Sequence, residues 1–310
     1  MTASPNFKVV AFAGASNWPY WAAEANGFFA REGLGVALDF TPDSIEMARN
    51  LHNGVYDLAL SSIDNVVAYD EGQGEADLGG PADFVALFGV DNGLLSLVAA
   101  PSITSFAALK GRTLSVDALT TGFAFVLKEM LELNGLAEGD VTIVKAGGGA
   151  QRLAALLELR QDATLLNAPL DIVAISKGCW RLAMARDMVG AYQGVVGCAR
   201  RDGLASHAPR IEAFIRGFHA GLLWLADPAN RSEAVALLCT RMNGMQPQIA
   251  ERAYDRLLDP AGGIYRDLRI DRDGVRTVLR LRTKYAASRK ELADPERYID
   301  ESVLRSGLRS

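Results

Sequence analysis

Cysteine and histidine are scarce in this 310-residue chain, with three of each. Cys179, Cys198 and Cys239 are odd in number and widely spread, which leaves neither a disulfide framework nor a zinc-type spacing. His52, His207 and His219 form no ligand pair, and His219 sits in the apolar run IEAFIRGFHAGLLWLA, where a helix residue near the core is expected. No apolar run of about 18 residues occurs, so no membrane insertion is expected. A clustered basic patch is missing too. The 32 Lys and Arg are outnumbered by 37 Asp and Glu, for a net charge of −5, which argues against a nucleic-acid partner. The opening MTASPNFKVVAFAG lacks the charged-then-apolar order of a secretory signal. The expectation is either a trimmed exported form with an added Met, hence periplasmic, or a cytoplasmic chain. No residue pattern calls for a metal or a cofactor.

What is present is an internal repeat. Residues 36–60 read VALDFTPDSIEMARNLHNGVYDLAL, and residues 141–165 read VTIVKAGGGAQRLAALLELRQDATL. At an offset of 105, Val36 meets Val141, Leu38 meets Ile143, Leu51 meets Leu156, Asp57 meets Asp162 and Leu60 meets Leu165. Each copy reads as a strand, a small-residue loop, a helix and a second strand. Amphipathic helical stretches precede both copies, at 18–34 and 121–136, with Gly135 expected to cap the second. Strands at 8–14 and 112–118 precede those in turn. Each half is therefore β-α-β-α-β, a unit that builds a parallel sheet by right-handed crossovers and binds ligands at the carboxyl ends of its strands.

The runs LLSLVAA (94–100) and GVVGCAR (194–200) read as strands that cross between the halves. The expected fold is α/β with two lobes: lobe 1 at 1–94 plus 197–310, and lobe 2 at 95–196. From about residue 203 the chain reads as helices at 208–226, 230–242, 247–258 and 272–288, punctuated by Asp227-Pro228 and Asp259-Pro260, and this C-terminal third is expected to pack on lobe 1.

Four segments carry a family likeness: AEANGFFAREGLGVALDF, NLHNGVYDLALSS, LKGRTLSVDALTTGFAFVLKEML and LLELRQDATLLNAPLD. In this order and spacing the chain, from about residue 8 to about 285, resembles the nitrate/sulfonate/taurine branch of ABC-transporter solute-binding proteins, which includes binders of thiamin-pyrimidine precursors. The resemblance implies a periplasmic-binding-protein-like pair of lobes with a hinge, capture of a small molecule between them, delivery to an ABC permease, and action as a monomer.

The candidate ligand residues lie on loops that open helices. In the first half, ASNWPYW supplies Asn17, Trp18 and Tyr20, with Trp21 expected to be packing. TPDS offers Asp43 or Ser44 as a helix cap, or as a ligand contact. SSIDN supplies Ser61, Ser62 and Asn65, with Asp64 either facing the ligand or suiting the helix dipole. In the second half, DALTTG supplies Asp117, Thr120, Thr121 and Gly122, and KAGGGA supplies Gly147 and Gly148 with Lys145 beside them. NAPLD supplies Asn167, with Asp171 on the following helix, and Tyr192 and Gln193 stand at the expected hinge. Mostly neutral polar groups favour a monoanion such as a sulfonate or carboxylate, or a heteroaromatic. Asp64, Asp91 and Asp117 can accept hydrogen bonds from ring N–H or amine groups. The same two-lobe fold also resembles cytoplasmic enzymes, including an aromatic sulfinate desulfinase and thiamin-pyrimidine synthases. Their cysteine nucleophile or Cys-rich segment has no counterpart before Cys179. A carboxylate-driven decarboxylase or lyase is thus the alternative to a binding protein.

Overall fold

The computed structural model describes residues 7–242, 244–260 and 262–309. The chain divides into two compact units. One takes the chain up to Asn92, Gln193–Arg272 and Asp294 onward. The other takes Gly93–Tyr192 and Asp273–Ala293.

The first stretch runs β1 (Phe7–Phe12), α1 (Trp18–Ala25), α2 (Phe28–Arg31), β2 (Val36–Thr41), α3 (Ser44–His52), β3 (Leu58–Ser62), α4 (Ile63–Asp70) and β4 (Phe84–Gly89). The helical stretch expected over 18–34 breaks into α1 and α2. Gly27, at φ 68°, turns the chain between them into the left-handed region that glycine tolerates. The second stretch runs β5 (Leu95–Ala99), β6 (Thr113–Val116), α5 (Gly122–Leu133), β7 (Thr142–Lys145), α6 (Gly149–Leu157), β8 (Ala163–Asn167), α7 (Leu170–Ser176), β9 (Trp180–Met184) and α8 (Ala185–Val189). Gly135, at φ 75°, follows the α5 cap residue Asn134, as expected of a left-handed stop. The chain then returns as β10 (Val195–Arg200), α9 (Leu204–Ala226), α10 (Arg231–Arg241), α11 (Pro247–Leu257), α12 (Arg272–Tyr285) and α13 (Ser302–Gly307).

Each unit holds one five-stranded sheet, and the two sheets have the same plan: β2-β1-β3-β10-β4 and β7-β6-β8-β5-β9. In each, three strands of a crossover unit run parallel, as the repeat requires. In each, the strand that brings the chain in from the other unit enters antiparallel, with β10 on β3 and β4, and β5 on β8 and β9. The sheets are therefore mixed. α3 begins at Ser44 and α6 at Gly149, 105 positions later, so the repeat seen in sequence is a repeat of structure.

Strands β3, β4, β5, β8 and β10 are buried along nearly their whole length and fill two cores. In the first unit Phe214 of α9 stacks on Phe29 at 5.2 Å and meets Phe7 at 5.4 Å, while Phe88 packs on Phe218 at 5.7 Å. Helix α9 lies so close to α1 that a Cβ at Gly221 would stand 2.2 Å from the Pro19 carbonyl oxygen. In the second unit Val98, Leu156, Leu166 and Ala174 form the core, with Leu153 and Leu170 against it.

One stretch departs from expectation. The C-terminal third was placed wholly with the first lobe, yet Asp273–Ala293 belongs to the second unit. Charge pairing explains this. Arg280 and Lys284 of α12 donate to the two oxygens of Glu129 on α5 at 2.5 and 2.7 Å, and the Tyr285 hydroxyl donates to Glu129 at 2.7 Å. The Tyr285 ring also stacks near Phe125, at 6.1 Å.

Candidate functional site

The carboxyl ends of β1 and β3 carry the candidate residues of the first unit. Asn17 is buried, and its amide donates to the carbonyls of Phe12 and Gly14 at 2.8 and 3.0 Å. This clamps the β1–α1 loop and leaves no amide hydrogen for a ligand. Tyr20 likewise turns inward: its ring packs on Phe29 at 5.3 Å and its hydroxyl lies 3.4 Å from Glu24. Burial, then the Glu24 carboxylate, pushes its pKa up. Asn17 and Tyr20, both candidate ligand contacts, thus each have a structural role. Trp18 is fully buried, edge-on to Tyr254 at 5.9 Å, and its indole N–H has no partner among the described residues. Trp21 is core, as expected.

Asp43, not Ser44, caps α3: its Oδ1 accepts from the N–H groups of Ile45 and Glu46 at 3.0 and 2.9 Å. Ser62 caps α4 by accepting from the N–H of Asp64 at 3.2 Å, and Asn65 donates to the Ser61 hydroxyl at 3.0 Å. These three therefore meet in one turn. Asp91 is committed, since its Oδ1 accepts from the N–H of Val195 at 3.1 Å while Gln193 donates to its carbonyl at 3.0 Å. A notch at the other end of this sheet, lined by Asp57, Arg200 and His207, encloses about 20 Å³, room for about one water and not for an organic solute.

In the second unit the loops after β6, β7 and β8 all lie at the carboxyl end of parallel strands. Thr121 caps α5, accepting from the N–H of Ala124 at 3.4 Å and donating to Asp117 Oδ1 at 2.8 Å. Thr120 is exposed and Gly122, the first residue of α5, is buried. Gly147, at φ 79°, takes a left-handed turn, and a Cβ there would sit 2.0 Å from Gln151 Oε1. That oxygen accepts from the N–H of Gly148 at 2.7 Å and fixes the loop against α6. A Cβ at Gly149 would meet Leu170 at 2.7 Å and Asn167 Oδ1 at 3.7 Å, so the loops after β7 and β8 touch. Tyr192 is buried, with its ring close over Gly93. Asp171 is wholly buried and spent on structure: it accepts from Ser96 at 2.8 Å and Arg181 at 2.9 Å.

Sequence reading missed Arg152. This buried guanidinium donates to Gly147 O at 2.7 Å and twice to Leu165 O, at 3.3 and 3.2 Å, tying the glycine loop to β8. Burial pushes its pKa down, while the nearby Asp117 carboxylate favours its charge. Asp117 mirrors it: burial pushes its pKa up, against Arg152 and the Thr121 hydrogen bond. Arg282 was missed as well. It is buried on α12, 5.3 Å over the Phe125 ring, and donates to the Thr120 carbonyl at 3.3 Å. The signal was available: Arg152 occupies the stripe of Leu156, and Arg282 that of Val275, Val278 and Leu279, where apolar residues are the rule.

Two of the three thiols, Cys179 and Cys198, are buried and poor nucleophile candidates. Burial raises Cys179 and pushes Cys198 up to about 12. Among the described residues no group of three or more His, Cys, Asp or Glu is placed to hold a metal ion. No helix of the described residues is long and apolar enough to cross a membrane.

Two mixed five-stranded sheets of identical plan, each with helix-opening loops at its strand ends, define the periplasmic-binding-protein class of α/β fold. Solved structures agree. The ligand-binding component of an ABC-type import system from Staphylococcus aureus matches with a TM-score of 0.78 at 14% identity, over 99% of this chain and 100% of that one. The periplasmic aliphatic sulphonate-binding protein SsuA of Escherichia coli matches at 0.74 and 17%, over 96% and 92%. The periplasmic nitrate-binding protein NrtA of Synechocystis matches at 0.76 and 13%, over 99% and 89%. No curated protein matches by sequence. The NMT1/THI5-like family model matches residues 15–231, and the chain belongs to that family.

Proposed function

We propose that this protein is a solute-binding protein of an ABC importer, capturing a small polar organic molecule on the strand-end loops of its units. The observation that carries this reading is the convergence, in the second unit, of Asp117–Gly122, Gly147–Gly149 and Asn167 at one end of three parallel strands. Its ligand is a sulfonate, a carboxylate or a heteroaromatic. The import, sulphonate-binding and nitrate-binding roles of the similar structures support the same direction. On this reading the protein works outside the cytoplasm as a monomer and hands its ligand to a permease.

Thermal-shift measurements with sulfonates, aromatic carboxylates and pyrimidines, followed by mass spectrometry of the recovered compound, test this. Binding gives a raised midpoint and an unchanged compound. Turnover of the compound would overturn the reading. Trp18→Phe keeps an aromatic ring while removing the unpartnered indole N–H, and is expected to reduce the shift if that N–H meets the ligand.

A further inference from the structure

The two repeats differ at two places where the fold itself asks for no difference. Asp43, which caps α3, has Gly148 as its counterpart 105 positions on, and Met47, buried one turn into α3, has Arg152. In the first repeat the Asp43 carboxylate accepts from the N–H groups of Ile45 and Glu46. The N–H groups of their counterparts, Ala150 and Gln151, find no acceptor among the described residues, because Gly148 has no side chain to cap with. The second repeat thus lacks an anion at a helix start and holds a buried cation one turn further on. Taking a guanidinium out of water is unfavourable, and Met47 shows that an apolar side chain packs at this place. Arg152 instead holds a peptide plane. It donates to Gly147 O at 2.7 Å, and on the opposite side of the same trans peptide the N–H of Gly148 donates to Gln151 Oε1 at 2.7 Å. Its remaining bonds, to Leu165 O, anchor this turn on β8. The free N–H groups of Ala150 and Gln151 are therefore held in a fixed direction near a positive charge, which suits an oxyanion.

We propose that Arg152 is a positioning residue for an oxyanion of the ligand, acting through the Gly147–Gly149 turn and not by contact. This rests on the solute-binding reading above and assigns the place of the ligand's charge.

Calorimetry on the full chain and its variants tests it, with propane-1-sulfonate, benzoate and the uncharged 2,4-dimethylpyrimidine as probes. Arg152→Met installs the residue of the first repeat and is expected to weaken whichever anion binds at least about tenfold. Gly148→Asp installs the first repeat's cap. Gly148 has φ −64° and ψ 171°, open to any residue, and a Cβ there meets nothing closer than 3.8 Å. This variant is expected to keep or raise the thermal midpoint, as a helix cap does, and to weaken the same anion at least about tenfold. Loss of binding without loss of stability is what a merely structural role does not give. Should Arg152→Met not fold, Arg152→Lys keeps the charge but presents one nitrogen in place of the planar fork, and is expected to weaken the anion about threefold or more. Unchanged anion affinity in a folded Arg152 variant or in Gly148→Asp, or binding of the pyrimidine alone, overturns this inference and leaves the solute-binding reading standing. Binding of none of the three probes overturns both.

Discussion

Asp57 and Asp162, 105 positions apart, make the same bond in different sheets. Asp57 Oδ2 accepts from the N–H of Lys8 at 2.8 Å, and Asp162 Oδ2 accepts from the N–H of Thr113 at 2.8 Å. In each case the carbonyl of that partner accepts the aspartate's own N–H, at 2.9 and 2.8 Å. Each carboxylate thus closes the amino end of a sheet, opposite to the ligand-type loops.

Asp57→Ala and Asp162→Ala are therefore each expected to cost about 1 kcal/mol, the typical value of one such hydrogen bond, without changing ligand response. Urea denaturation beside thermal-shift titration checks both parts. A lost ligand response in a folded variant would contradict the placement.

Glu129 gives a pH dependence. Burial alone would raise its pKa, but hydrogen bonds from Lys284, Arg280 and Tyr285 outweigh this and hold it at about 2, below its usual 4.5. A carboxyl depressed on folding stabilises the native state above its unfolded pKa, and the contribution fades as pH falls through the folded one. Glu129→Gln is expected to lower stability by about 1–2 kcal/mol at pH 7, discounted because Arg280 and Lys284 are partly exposed. The gap from the parent protein is expected to narrow between pH 4.5 and 2, read by denaturation midpoints at each pH.

Gly221 tolerates no side chain. A Cβ would stand 2.2 Å from Pro19 O and 2.8 Å from Ala23 N, both backbone atoms that yield only if α1 and α9 separate. Gly221→Ala is expected to cost about 1–3 kcal/mol, the range for overpacking a tight interface. Gly80, where a Cβ meets nothing within 4 Å, serves as the neutral control.

Removing Asp171 leaves Arg181 and Ser96 without their shared buried acceptor. Asp171→Ala is expected to destabilise by about 3 kcal/mol, as breaking a buried charged pair does. Replacing Ser96 by Ala in the same background is expected to add less than it does alone, which a double-mutant cycle measures.

Much of the architecture was legible because the repeat and the apolar periodicity express backbone geometry directly. The helices expected at 208–226, 230–242 and 247–258 stand as α9, α10 and α11 with their ends moved by at most four residues. The α12 assignment was not legible, because it depends on Glu129 meeting Arg280 and Lys284 some 150 residues away, which no local pattern encodes. The site loops were found from their composition, but roles within them were not. Asn17 and Tyr20 have the chemistry of ligand contacts, yet nearby carbonyls and Glu24 take up their polar groups. Arg152 is not legible from loop composition, because its side chain reaches back to the glycine loop from inside a helix.

The position of β10 constrains the order of events during synthesis. It lies between β3 and β4, so the sheet begun by Phe7 cannot close until Arg200 has emerged from the ribosome. The other sheet is complete once Met184 has emerged. The unit that starts first is thus the one that finishes last, and its unpaired β3 and β4 edges stay open to wrong partners through more than a hundred residues of elongation.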